Sequence, residues 1–244
     1  MRYFLELRYR GTHFFGWQRQ PEVKTVQGEI ESALSTILKQ QTLITGCGRT
    51  DTGVHSYQYF AHFNAAEKLD DYRLLKSING ILNQDIEIIR LIPVSEENHA
   101  RFDASARTYH YYLHLGKNPF LKGLSTSIRQ PLDLEVMNAS AIHFLGEKDF
   151  SSFEKIGADN ATSICNVTES HWIFKNDQWR YRITANRFVR NMVRAIVGTQ
   201  LDIARRRFSI DDLPEIIAAK DRGMAGTSAP AEGLYLEEIQ YPFL

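Results

Sequence analysis

The sequence predicts an α+β fold with antiparallel or mixed sheets. Segments with strand alternation and segments with a helical period both recur along the 244 residues. They do not alternate strictly as strand–helix–strand, so an all-parallel sheet is not expected. Two strand-like runs, 167–174 and 178–185, flank Lys175-Asn176-Asp177, a hairpin signal.

Each element has its own justification. In residues 2–10, Tyr3, Leu5, Leu7 and Tyr9 fall on one side of an extended chain. A loop rich in glycine and aromatics, GTHFFGWQRQP at 11–21, follows. Thr25 is placed to cap a helix with an apolar face of Val26, Ile30, Ala33, Leu34, Ile37 and Leu38. A short strand is expected over 42–46, an exposed loop over 46–53 and a strand over 56–63. Asp70 or Asp71 caps a second helix carrying Leu74, Leu75 and Ile78. Residues 86–94 are apolar and β-branched and read as a buried strand. A weak boundary near residue 104 divides the chain into halves, 1–104 and 105–244. In the second half, 106–115 reads as an aromatic strand and Asp133 as the cap of a helix reaching about Leu145. Residues 187–204 give the clearest helical pattern. Asp211 is expected to cap a further helix with Pro214 in its first turn, and 233–241 to close as a strand.

Composition narrows the class. Hydrophobic residues make up 43% and charged residues 24%, ordinary values for a globular protein. No run approaches the roughly 18 apolar residues of a membrane span. The opening MRYFLELRYR lacks the apolar stretch of a secretion signal, so a cytoplasmic location without membrane contact is expected. Cys47 and Cys165 form no metal-ligand pattern and are expected to be reduced. Lys+Arg and Asp+Glu both total 29, so net charge favours no polyanionic partner. Yet Arg180, Arg182, Arg187, Arg190, Arg194, Arg205, Arg206 and Arg207 crowd one region in which Asp202 is the exceptional acid. Such a region suits nucleic acid, and equally a solvated arginine-rich face.

Chemistry is concentrated in GCGRTDTGVH, residues 46–55. Glycines bracket Arg49, Thr50 and Asp51, permitting close approach of a ligand to the backbone. Arg49 favours the ionised form of Asp51, and an ionised carboxylate beside a substrate can act as nucleophile or general base. Taken alone, the loop reads first as an ordinary turn with an aspartate bonded to its own backbone. It is not a dinucleotide fingerprint, because GxGxxG fails at Asp51. In 187–204 the apolar face is Phe188, Val189, Met192, Val193, Ile196 and Val197, while Arg187, Arg190 and Arg194 recur at helical spacing. That stripe could meet phosphates or pair with a carboxylate, or stay solvated. Tyr109, Tyr111 and Tyr112 could stack on unpaired bases, with packing preferred for Tyr111 and Tyr112. His55 and His62, or His110 and His114, give no usual metal spacing; the second pair would sit about 13 Å apart on a strand.

Five segments, in order, resemble the bacterial tRNA pseudouridine synthase A family over almost the whole chain. GTHFFGWQRQP at 11–21 is similar to its GTxYxGWQxQ opening, and GCGRTDTGVH at 46–55 to its GRTDxGVH loop. HARFDASARTYHY at 99–111 is similar to HARFxAxxRxYxY, FVRNMVRAIVG at 188–198 to FxxxMVRxIVG, and APAEGLYLEEIQY at 229–241 to the closing AP-x-x-GLxL. The set is far more specific than any one motif, and it favours the chemical reading of Asp51 and Arg194 over the plain ones.

The resemblance implies a fold of two similar halves, with sheets flanked by helices around a central cleft. It implies isomerisation of uridine to pseudouridine in the tRNA anticodon arm, at positions 38–40, by a homodimer. No redox cofactor, nucleotide or metal is implied, because product and substrate have the same composition. Asp51 matches the catalytic aspartate; attack on C6 of the base, attack on C1′ of the ribose and removal of a ribose proton all stay open. Tyr109 matches the active-site tyrosine, Arg194 the arginine that pairs with Asp51, and Arg49 the arginine that helps open the anticodon arm. Leu234 would wall the uracil. The chain departs from the pattern at Gln58, Tyr59 and Asn83, where glycine, glutamine and proline are usual. Competing readings are a non-catalytic RNA-binding module or tRNA chaperone of the same fold, a metal-dependent hydrolase using Asp51, His55 and His62, and a purely structural role.

Overall fold

The computed structural model describes residues 1–158 and 161–244. It divides into two units, one of Met1–Ser105 with Tyr235–Leu244, the other of Ala106–Leu234. The closing strand, expected within 105–244, therefore belongs almost wholly with the first unit. Helices and mixed sheets occur in both, as an α+β fold requires. Among the described residues no helix is long and apolar enough to cross a membrane.

In the first unit the strands are β1 (Arg2–Tyr9), β2 (Thr45–Gly46), β3 (His55–Asn64) and β4 (Ile86–Val94), with helices α1 (Val26–Leu38) and α2 (Asp71–Ile81). β1 lies between β4 and β3, antiparallel to both, and β2 pairs antiparallel with β3. Being interior to the sheet, β1 buries both faces from Tyr3 to Leu7 rather than one. Rings of Phe60, His62, Tyr241 and Phe243 surround Phe4. Thr25 caps α1 by accepting from the Gly28 amide at 3.3 Å, and Asp70 caps α2 through the Arg73 amide at 3.0 Å. α1 also buries Glu31, whose carboxylate accepts from the Ile44 amide at 3.1 Å and Gln27 Nε2 at 3.0 Å.

β4 is not the fully buried strand its composition suggested. Ile86, Ile88 and Leu91 are buried, whereas Glu87, Ile89 and Arg90 are exposed. It is antiparallel to β1, and an antiparallel strand can leave one face to solvent. Asn83, at a position where proline was usual, starts it: its Oδ1 accepts from the Asp85 amide at 2.8 Å.

The second unit contains β5 (Ala106–Leu115), β6 (Thr126–Ile128), α3 (Leu134–Ala141), β7 (Gly146–Asp149), β8 (Ile164–Lys175), β9 (Gln178–Ala185), α4 (Met192–Ala204) and α5 (Leu213–Ala218). Its strand order is β5-β9-β8-β7, with β6 parallel to β5. Asn176 and Asp177 both take positive φ, 53° and 58°, the turn that matches the twist of a tight hairpin. Asp133 caps α3, which ends at Ala141 in a 3-10 turn, short of Leu145.

Two helix starts differ from expectation. α4 begins at Met192, not 187, because Asn191 sits in the left-handed region at φ 70°. Asparagine tolerates this conformation better than most residues. Arg187 and Arg190 therefore share no helical stripe with Arg194. Nor is Asp211 a cap: Ser209 and Asp212 form a reciprocal capping box, and α5 follows with Pro214 in its first turn. The final strand, β10 (Leu234–Gln240), pairs parallel with β3 through Tyr235–His55 and Leu236–Ser56.

Candidate active site

The loop carrying Asp51 leaves β2 and returns as β3. It is less exposed than the sequence suggested, since Cys47 and Thr50 are buried. The Cys47 amide donates to the Phe60 carbonyl at 2.8 Å, extending the β2–β3 pairing into the loop. Tyr59 donates its hydroxyl to the Gly48 carbonyl at 2.5 Å. Thr50 is held twice, by a hydrogen bond between its hydroxyl and that of Tyr9 at 2.8 Å, and through its carbonyl by the Trp17 amide at 3.2 Å. The Val54 amide closes on the Asp51 carbonyl at 3.1 Å, and the Gly53 amide donates to the Phe14 carbonyl at 3.3 Å. The opening motif is thus a cradle for the aspartate loop. Within this frame the Asp51 side chain is half-buried and Arg49 is exposed.

Tyr109, Arg194 and Leu234 belong to the second unit. Tyr109 lies on β5 opposite Ile183 of β9, half-buried, with the Phe188 ring edge-on at 5.0 Å. Tyr111, the neighbour on the same face, is buried. Its hydroxyl shares a hydrogen bond with Thr126 Oγ1 at 2.8 Å and donates to the Pro230 carbonyl at 2.7 Å, and burial pushes its pKa well up. Arg194 stands in the first turn of α4. Its Nε donates to the Ala229 carbonyl at 2.7 Å, and the Ala229 amide donates to the Arg194 carbonyl at 2.9 Å. Ser228 receives Asn191 Nδ2 at 2.7 Å and Arg222 Nη2 at 2.9 Å. The start of the APAEGLYL motif is thereby clamped to the start of α4, and it leads directly into the buried Leu234.

The arginine-rich region is partly internal wiring. Arg182 pairs with Glu169 at 2.8 Å, while Arg205 and Arg207 both reach Asp202, at 3.4 and 3.1 Å. α4 is buried on nearly every side, so it is a central helix and not an amphipathic surface one.

Residues 7–103 and 140–242 match the family model described as tRNA pseudouridine synthase. The chain belongs to that family. It is 44% identical to the tRNA pseudouridine synthase A of Porphyromonas gingivalis, across 99% of this chain and 97% of the relative. The corresponding proteins of Bacteroides fragilis and Parabacteroides distasonis are each 43% identical, across 99% of this chain and 96% of theirs. Family membership makes the protein an isomerase, as the motifs implied.

Sequence reasoning missed the supports of the site: Tyr9, Trp17 and Tyr59 beneath one loop, Ser228 and Ala229 against the helix. Trp17 in the opening motif and Ala229 in the closing one are signalled by motif alone; Tyr9 reads as a strand residue and Tyr59 as a departure from the family pattern. The departures have structural roles. Gln58 donates to Glu6 at 2.9 Å and accepts from the Ile239 amide at 2.9 Å, joining β1, β3 and β10.

Of the histidines weighed as metal ligands, His110 and His114 meet the Tyr112 and Ser125 hydroxyls at 3.2 and 3.1 Å, and the other two serve the backbone. His55 Nδ1 accepts from the Gly11 amide and His62 Nδ1 from the Ala100 amide, each at 3.1 Å. His99 Nδ1 accepts from the Arg101 amide at 3.1 Å and the Phe102 amide at 3.3 Å, folding the HARFD turn. Burial pushes His62 down from 6.5 to about 4, with His99 and Arg2 adding to the fall and Asp103 opposing it. The unfolded chain therefore binds more protons between those values. The stability contributed by neutral His62 is complete above about pH 6.5 and is lost as pH falls toward 4, by up to about 3 kcal/mol. Urea unfolding at pH 7, 5.5 and 4 should show that slope. His62→Asn, which keeps an acceptor but cannot titrate there, should flatten it.

Proposed function

We propose that the protein isomerises uridine to pseudouridine at positions 38–40 of the tRNA anticodon stem-loop, with Asp51 as catalytic nucleophile. The observation that carries this is the construction of the GRTD loop: Gly48 and Thr50 before Asp51 and Gly53 after it are fixed from the core, and Asp51 between them is half-buried. Preorganisation of one charged group is what a displacement at a single ribose or base carbon requires.

The reaction breaks the bond from N1 to C1′ and forms one from C5 to C1′. The C5 hydrogen leaves as a proton and N1 takes one up, so no redox partner is needed. On this reading Tyr109 stacks on the target base and Arg194 is the cationic partner of Asp51. Arg194 is suited to that role because its Nε is already anchored on Ala229, which fixes the direction of the rest of the guanidinium. Arg49, exposed beside Asp51, enters the opened anticodon arm, and Leu234 gives the uracil an apolar wall. The enzyme works as a homodimer in the cytoplasm, and its dimeric state is open to light scattering on the purified protein.

The test is to incubate the protein with unmodified tRNA and map pseudouridine. Modification confined to positions 38–40 is expected. Binding without any conversion would favour the RNA-binding or chaperone reading, and conversion elsewhere in the tRNA would refute the positional assignment.

A further inference from the structure

Tyr59 is completely buried on β3. Its ring stacks on Trp17 at 3.9 Å and 27°, and Tyr9 packs against it at 5.7 Å. A buried phenol must place its hydroxyl on a partner. Its partners here are two members of the Asp51 loop: the Gly48 carbonyl, three residues before Asp51, at 2.5 Å, and the buried Cys47 side chain. The slot is closely fitted: a Cβ on Gly46 would lie 2.4 Å from that hydroxyl oxygen and 2.5 Å from Trp17 Nε1. Phenylalanine would fill the same packing and lose only the bonds to Gly48 and Cys47, both within the 46–54 loop. The effect of the hydroxyl falls on the loop.

We propose that Tyr59 is a positioning residue for the isomerisation: its hydroxyl, bonded to Gly48 and seated on Trp17, holds the 46–54 loop in the conformation that presents Asp51. This rests on the assignment of Asp51 made above. Tyr59 touches no reacting atom, and it acts through the loop backbone.

The test compares wild type, Tyr59→Phe and Asp51→Ala on unmodified tRNA, with hydrogen exchange of the loop amides read in parallel. Tyr59→Phe should lower kcat about tenfold, the effect of one hydrogen bond, with KM for tRNA within about twofold. Amides of residues 48–53 should exchange about tenfold faster while those of β1 and β3 stay unchanged. Wild-type kcat and wild-type loop exchange in Tyr59→Phe, beside an inactive Asp51→Ala, would overturn the proposal. So would faster exchange spread evenly over the first unit, the mark of a merely structural role. An active Asp51→Ala would instead remove the nucleophile assignment, and the exchange measurement would then judge separately whether Tyr59 holds the loop.

Discussion

Asp51→Ala is expected to lower pseudouridine formation at least about a thousandfold while leaving tRNA binding largely intact. Removing a group that forms or breaks bonds in the transition state costs kcat, not ground-state affinity. The side chain is half-buried in a loop whose fixed points are Gly48, Thr50 and Gly53, so its loss should not unfold the loop. Asp51→Asn preserves shape and removes charge, and should be nearly as inactive as alanine. Asp51→Glu keeps the charge but displaces the carboxylate by one methylene, and a misplacement of about 1 Å can cost roughly a hundredfold. The order wild type, Glu, then Asn with Ala should emerge from single-turnover assays, with gel-shift affinities changing little. Substantial activity in Asp51→Asn would sink the nucleophile assignment.

Gly198→Ala is expected to destabilise the second unit by about 3 kcal/mol, the upper end for a methyl forced into a packed site. A Cβ at this position of α4 would lie 1.8 Å from the Thr227 carbonyl oxygen and 2.8 Å from its carbon. Both are backbone atoms of the segment that binds Arg194 through Ala229. The helix must therefore separate from that segment, and activity should fall along with stability. Alanine's helix propensity, worth about 1 kcal/mol over glycine, opposes the loss without cancelling it. Gly80 in α2 is the internal comparison, because no atom lies within 4 Å of a Cβ there. Gly80→Ala should stabilise by up to about 1 kcal/mol. Opposite shifts in urea midpoint would establish that steric approach, not helicity, sets the sign.

What could be read in the sequence was what short-range physics decides. The hairpin at 175–177 and the caps at Thr25, Asp70 and Asp133 depend on residues a few positions apart, and all of them form. The start of α4 was misread because helical spacing runs unbroken through Arg187 and Arg190. The break comes from Asn191, whose side chain is engaged by Ser228, 37 residues away. β4 was misread because its composition cannot reveal that one of its faces is left to solvent. For the proposed site, Asp51 and Arg194 are singled out only through ordered motifs; their own neighbours on the chain favour a turn and a solvated helix. Tyr59 reads only as a departure from the family pattern, because its contacts with Tyr9, Trp17 and Gly48 are ones that no periodicity brings together.

The parallel pairing of β10 with β3 sets an order of events during synthesis. Residues 1–105 leave the ribosome first, yet their sheet gains Tyr235 and Leu236 only after 106–234 have been made. At roughly 5–20 residues per second that interval lasts on the order of 6–26 s. Throughout it the nascent first half carries a vacant strand position beside His55 and Ser56, a template for any stray extended peptide. The interval is set by the rate of synthesis of 106–234, and slow folding of that segment would only lengthen it. Elongation speed therefore sets the lower bound on how long 1–105 stays incomplete.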